Sequence, residues 1–117
     1  MSPLPAGETR TARIRDLNDQ FRDLAAPHLG QVMFTTGVKS LPTMDQLIIL
    51  RLVSGFDEFT PDNDPHDEHD FGAIDYEGVR YFWKIDYYDL TMEFHSPDPS
   101  EPDLTRRVMT IMRADEY

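Results

Sequence analysis

The 117-residue sequence contains no cysteine, which removes disulfide frameworks, cysteine-rich zinc sites and thiol catalysis together. Long hydrophobic runs are missing too. The longest strictly aliphatic stretch is Leu47 to Leu50, far short of the roughly 20 residues that span a bilayer. Met1-Ser2-Pro3-Leu4-Pro5 has neither the basic start nor the apolar stretch of a secretory signal, so a cytoplasmic protein without membrane contact is expected. Basic residues are scarce, 11 Lys and Arg against 22 Asp and Glu, for a formal net charge of -11. That deficit argues against direct binding of nucleic acid, an affinity that comes from cations displacing counterions. The glycines at 7, 30, 37, 55, 72 and 78 build neither a phosphate-cradling G-x-x-x-x-G-K-[ST] loop nor a G-x-G-x-x-G turn, and no serine lies in a G-x-S-x-G elbow. The sequence reveals no reaction, and a non-enzymatic protein without a cofactor is expected.

What is present is unevenly spread. Residues 57 to 103 carry 15 acids and only two bases, Arg80 and Lys84, for a net charge of -13, while the segments on either side are each +1. Residues 56 to 103 also hold 10 of the 13 aromatics. An acidic tail without structure would be aromatic-poor, so this stretch is expected to fold, within a single domain over residues 1–117.

Periodicity gives the elements. Ile14, Leu17, Phe21, Leu24 and Ala25 recur at steps of three and four, predicting an amphipathic helix from about Thr9 to Ala26, ended by Pro27 and Gly30. Its wet face would bear Arg10, Arg13, Arg15, Asp16, Asp19, Arg22 and Asp23, with Arg15 and Asp19 spaced for contact. Gln31 to Val38 suits a strand. Thr43-Met44-Asp45-Gln46 fits a capping box before a second helix, whose Leu47, Ile48, Ile49, Leu50, Leu52 and Val53 predict burial on most sides. Phe71 to Tyr76 and Val79 to Tyr88 flank Glu77-Gly78 as a hairpin, with Val79, Tyr81, Trp83, Ile85 and Tyr87 on its core face. Met92 and Phe94 suggest a further strand and Val108 to Met112 a last one, while Ser96 to Asp103 reads as a stiff surface loop. The expected class is α+β, two helices packed on one face of a twisted antiparallel sheet of about four to five strands.

The sharpest polar constellation is Asp62-Asn63-Asp64-Pro65-His66-Asp67-Glu68-His69-Asp70. An EF-hand register fails, because from Asp62 at position 1, position 6 is Asp67 rather than glycine and position 12 is Ala73 rather than glutamate. A divalent metal ion on His66, His69 and Asp70, with the distant His95 as a further ligand, is chemically permissible. Against it stand a structural reading, in which Asp62 and Asn63 brace the turn and Glu68 or Asp70 orients His69, and a metal-free catalytic histidine. Lys84 shares a strand face with Asp86 and is expected to pair with an acid across the sheet.

The run Phe59-Thr60-Pro61-Asp62-Asn63-Asp64-Pro65-His66, then Glu68-His69-Asp70-Phe71-Gly72, then Phe82-Trp83-Lys84-Ile85-Asp86-Tyr87-Tyr88-Asp89 resembles the signature of a small bacterial family catalogued as a domain of unknown function. The resemblance extends toward Pro5 to Thr11 and Thr110 to Met112. It brings no activity, but families of this kind sit among accessory genes of mobile elements, which implies an anti-defence or plasmid-maintenance role.

A compact chain of this length extends over roughly 34 Å, along which duplex DNA carries roughly 20 phosphate charges. A net charge of -13 on residues 57 to 103 approaches that density. The expected function is therefore a cytoplasmic acidic interaction protein that binds a basic protein partner, such as a nucleic-acid-binding protein, through Asp62, Asp64, Asp67, Glu68, Asp75, Glu77, Asp86 and Asp89. DNA mimicry is its most specific form. A free sheet edge would also allow a homodimer.

Overall fold

A computed structural model describes residues 6–117, with side chains from Arg10 onward. The N-terminal stretch read above for a signal, Pro5 included, lies outside the described residues. Helix α1 spans Ala6–Arg22 and turns Ile14 and Phe21 into the core, as the spacing predicts. It stops four residues earlier than expected. Leu24 takes a left-handed φ of 68°, and the N–H groups of Ala25 and Ala26 fold back onto the Gln20 carbonyl at 3.0 and 3.1 Å. The helix is thus closed before Pro27, which opens a 3-10 turn over Pro27–Leu29.

Strand β1, Gly30–Phe34, is also shorter than expected, because Thr36–Lys39 coils into a short helix, α2. The Gly37 N–H donates to the Glu116 carboxylate at 2.9 Å, holding that turn against the C-terminus. Helix α3, Thr43–Ser54, starts after Pro42 without the capping box. Gln46 instead donates its amide to the carbonyls of Lys39 at 3.1 Å and Leu41 at 2.8 Å, and so ties α3 to the end of α2. Only Ile49 and Val53 of α3 are fully buried, while Met44, Leu47 and Leu52 are 66, 55 and 41 % exposed. Only one side of the helix, Ile49 and Val53 with the partly buried Leu50, reaches the core, so its abundant apolar residues do not imply burial all round.

Strands β2, Phe71–Tyr76, and β3, Val79–Tyr88, form the expected hairpin. Its turn residues Glu77 and Gly78 have φ of 53° and 76°, the left-handed pair of a tight hairpin turn. Strand β4, Arg106–Arg113, pairs antiparallel with β3 but parallel with β1, and the sheet order is β1-β4-β3-β2. The fold is α+β, but its four-stranded sheet is mixed rather than antiparallel. The long passage through α3, β2 and β3 carries the chain back so that β4 runs beside β1 in the same direction, as parallel pairing requires. Met92 and Phe94 form no strand. Asp89 caps a turn there, accepting from the Thr91 hydroxyl at 2.8 Å and from the Glu93 N–H at 3.2 Å, and the stretch rejoins the sheet only by a bridge between Tyr88 and His95.

The core gathers Tyr81, Trp83, Ile85 and Tyr87 of β3, Met109 and Ile111 of β4, and the inward residues of α1 and α3. The loop from Ser96 to Asp103 is not the exposed spacer that its prolines suggest, since Ser96, Pro99 and Ser100 are buried. Its carbonyls have no strand partner; those of Asp98, Glu101 and Pro102 accept from backbone N–H groups in turns, and those of Ser100 and Pro99 from Arg13 and Arg107, each at 2.7 Å. No helix among the described residues is long and apolar enough to cross a membrane.

The β1 to β4 junction yields a sharp test. A Cβ built at Gly30 would lie 1.8 Å from the Arg107 carbonyl oxygen, whereas at Gly55 the nearest atom is 3.6 Å away. In urea titrations, Gly30→Ala is expected to lose about 3 kcal/mol of stability, and Gly55→Ala to stay within about 0.5 kcal/mol of the parent.

Candidate functional site

The acidic loop is built from within. Asn63, not Asp62, braces its first turn, accepting from the Thr60 N–H at 2.8 Å and donating to the Glu58 carbonyl at 2.9 Å. Asp64 is only 6 % exposed. Its Oδ1 accepts the backbone N–H groups of Glu68 at 3.2 Å and His69 at 3.1 Å, closing the next turn. Asp67 and His69 both take φ of 56°, a conformation that turns two side chains back toward Asp64 at a steric cost for residues other than glycine.

His69 is held on three sides. Its Nδ1 lies 2.8 Å from Asp19 Oδ1 of α1, its Nε2 lies 3.6 Å from Asp64 Oδ2, and its ring stacks on Phe59 at 3.7 Å and 4°. Neither Glu68 nor Asp70 orients it. The ligand atoms of Asp64, Asp67 and His69 lie within 4.8 Å of one another. The metal-binding trio read from sequence therefore keeps His69 and exchanges His66 and Asp70 for Asp64 and Asp67. Alternation along an irregular loop does not hold, and the left-handed residues decide which side chains converge. His95 packs edge-on against Tyr87, and it lines a separate cavity of about 350 Å³ together with Asp70 and Asp86.

Behind the loop lies a buried polar network. Arg107, fully buried, donates from Nε to Asn18 Oδ1 at 2.7 Å, and Asn18 Nδ2 donates to Tyr87 Oη at 2.7 Å and to the Glu68 carbonyl at 2.9 Å. The Tyr87 hydroxyl donates to Glu68 Oε1 at 2.9 Å. Burial pushes the Tyr87 phenol up and the Arg107 guanidinium down from their ordinary values, because in each case it disfavours the charged form. Sequence reading missed Asn18 and Arg107, although each carried a signal. Asn18 sits in the row of Ile14 and Phe21 on α1, and Arg107 alternates in phase with Met109 and Ile111 on β4, so each is a polar residue on an inward face.

The acids nominated for a partner do not form one wall. Asp64 and Glu68 serve the loop interior, Asp67 is paired with Arg15 at 2.7 Å, and Asp89 caps its turn. Asp75 is paired with Arg80 at 3.0 Å and Asp86 with Lys84 at 3.1 Å. That last pair lies along one strand rather than across the sheet. Nor do Arg15 and Asp19 meet; Asp19 serves His69 and Arg22, and Arg22 is buried at 5 % rather than on a wet face. Asp75 and Asp86 alternate with the inward Ile74, Ile85 and Tyr87 and so lie on the other face of the sheet. Asp62 is exposed, and Glu77 occupies the hairpin turn.

A second concavity, about 280 Å³, lies between the end of α3 and β2. Leu52, Phe56 and Ile74 supply its apolar lining, and Asp57, Glu58 and Asp75 its charge. Asp57 and Glu58 are both exposed.

Residues 34–116 match the family described as Protein of unknown function (DUF3768), and the chain belongs to that family. The match takes in the acidic loop, the hairpin and β4, while α1 and the resemblance noted near the N-terminus lie outside it. No curated protein and no solved structure matches the chain.

Asp70 offers a pH test. Burial, then the neighbouring Glu68, raise its carboxyl above the usual 3.8. An acid whose folded value is raised weakens the fold when ionised, and that penalty disappears as pH falls through the raised value to the unfolded one. Asp70→Asn is therefore expected to melt above the parent at pH 7, with the gap closing below about pH 4, as a pH series of thermal melts would record.

Proposed function

We propose that this chain is an acidic, non-enzymatic interaction protein that docks a basic protein partner at the groove between α3 and β2. One observation carries this reading: the groove sets the apolar side chains of Leu52, Phe56 and Ile74 together with the exposed Asp57 and Glu58. A lining that mixes apolar side chains with carboxylates favours association that is steered by charge and held by burial. The eight acids first nominated contribute less, since most already have partners inside the molecule. Their dispersal favours a local docking groove over an extended imitation of DNA, and an anti-defence role would then act through that groove.

The test uses synthetic peptides of equal apolar content and opposite charge, titrated in a salt series. The basic peptide is expected to bind, with affinity falling several-fold from about 0.05 to 0.5 M salt as exposed charges are screened. The double variant Asp57→Lys with Glu58→Lys should abolish that binding while melting at the parent temperature. Binding indifferent to salt and to charge reversal would remove the reading.

A divalent cation at His69 is the second reading, favoured by the Asp19 contact. With Nδ1–H donating to Asp19, Nε2 presents its lone pair toward Asp64 and Asp67, the carboxylate-oriented histidine common at metal centres. An imidazole with two carboxylates suits zinc or manganese. Either ion is expected to raise the melting temperature of the parent by several degrees and to leave His69→Gln unmoved. No shift in the parent would dismiss the cation.

A further inference from the structure

We infer that the groove captures its partner by strand addition, an extended basic segment pairing with the outer edge of β2; this rests on the basic-partner reading above. Strand β2 stands last in the sheet. The Ile85 N–H donates to the Asp70 carbonyl at 2.9 Å, which sets the phase of the antiparallel ladder. Gly72, Ile74 and Tyr76 follow Asp70 in turning their backbone groups toward β3, and Phe71, Ala73 and Asp75 turn theirs outward. Among the described residues, no backbone group bonds to those outward N–H and carbonyl groups.

Free edges of this kind are ordinarily blunted by proline, lysine or a covering element. The sequence of β2, Phe-Gly-Ala-Ile-Asp-Tyr, contains no proline or lysine and a single charge, Asp75. What flanks the edge is the groove itself, lined by Ala73, Ile74 and Asp75 of β2 and by Leu52, Phe56, Asp57 and Glu58. An added strand would gain main-chain hydrogen bonds from the edge. Every second side chain would lie on the Ile74 side of the sheet and the alternate ones on the Asp75 side, in a groove whose carboxylates favour cations. The other edge strand, β1, offers no carboxylate among its five residues. Charge complementarity therefore assigns a basic, extended partner to β2.

The probes are an alternating lysine–valine octapeptide and its glutamate–valine counterpart, added to the full chain with amide exchange followed by NMR. The lysine peptide should slow exchange at Phe71, Ala73 and Asp75 while leaving Gly72, Ile74 and Tyr76 unchanged, and the glutamate peptide should do neither. Proline is tolerated on an edge where its nitrogen faces outward, so Ala73→Pro should keep the fold and weaken lysine-peptide binding about tenfold or more. Ala73→Lys, which repels the same probe, guards against misfolding of the proline variant. If both variants bind as the parent does while the Asp57→Lys and Glu58→Lys pair does not, strand addition is wrong and the basic-partner reading survives. Failure of the parent to bind the lysine peptide overturns both. Protection of the same three amides without peptide, growing with protein concentration, would make the occupant a second copy of this chain and overturn the assignment to a basic partner.

Discussion

The constraint on which most of this structure hangs is a buried cation. Arg107 sits inside the sheet, and a guanidinium removed from water is tolerable only if its surroundings answer it. Asn18 accepts from it, the Pro99 carbonyl accepts from it, and its charge lies 5.2 Å from the centre of the Tyr87 ring. Through Asn18 and Tyr87 the same network reaches Glu68. Four pieces of chain, α1, the hairpin, the proline loop and the acidic loop, are thereby referenced to a single side chain of β4. A buried acceptor or donor left without its partner costs about 1–3 kcal/mol, so disturbance of any one of them is felt by the others.

That arrangement also accounts for where the negative charge goes. A segment with so many carboxylates would repel itself if they all faced water together. Instead several of them act as capping and bracing groups. Hydrogen bonds from Thr91 and from the Glu93 and Phe94 N–H groups hold the Asp89 carboxyl below its ordinary range, Ser100 does the same for Asp98, and Arg80 for Asp75. Others meet arginines of α1. Under the proposed reading the surface for recognition is smaller than the composition implies, set by the acids whose side chains have no bonding partner among the described residues, Asp57 and Glu58 among them.

Regular elements were legible in the sequence because their period is physical. The β3 alternation from Val79 to Tyr87 and the α1 row at Ile14 and Phe21 follow directly from pleat and helix geometry. Mixed pairing was not legible, since nothing local to Gly30–Phe34 or Arg106–Arg113 encodes which direction a distant strand will run. The capping box at Thr43 failed for a similar reason: Gln46 found two carbonyls near the end of α2 that sequence spacing does not bring into view. In the loop, the presence of a histidine held by acids was foreseeable, but which acids was not. Asp19 comes from a helix 50 residues away, and the positive φ at Asp67 and His69 overrides any periodic rule.

Trp83, the sole tryptophan, lies fully buried beneath this arrangement. Its indole fills the space that Gly72 leaves by lacking a side chain, with Phe56 edge-on at 5.6 Å and the Arg22 guanidinium 4.9 Å from its ring. Phe56 also lines the groove, so anything that seats there and shifts it alters the surroundings of the indole. The protein thus contains its own optical reporter. Its ultraviolet emission senses events at the α3 to β2 face without an attached dye, while the tyrosines, spread across the hairpin and the C-terminus, supply an internal reference.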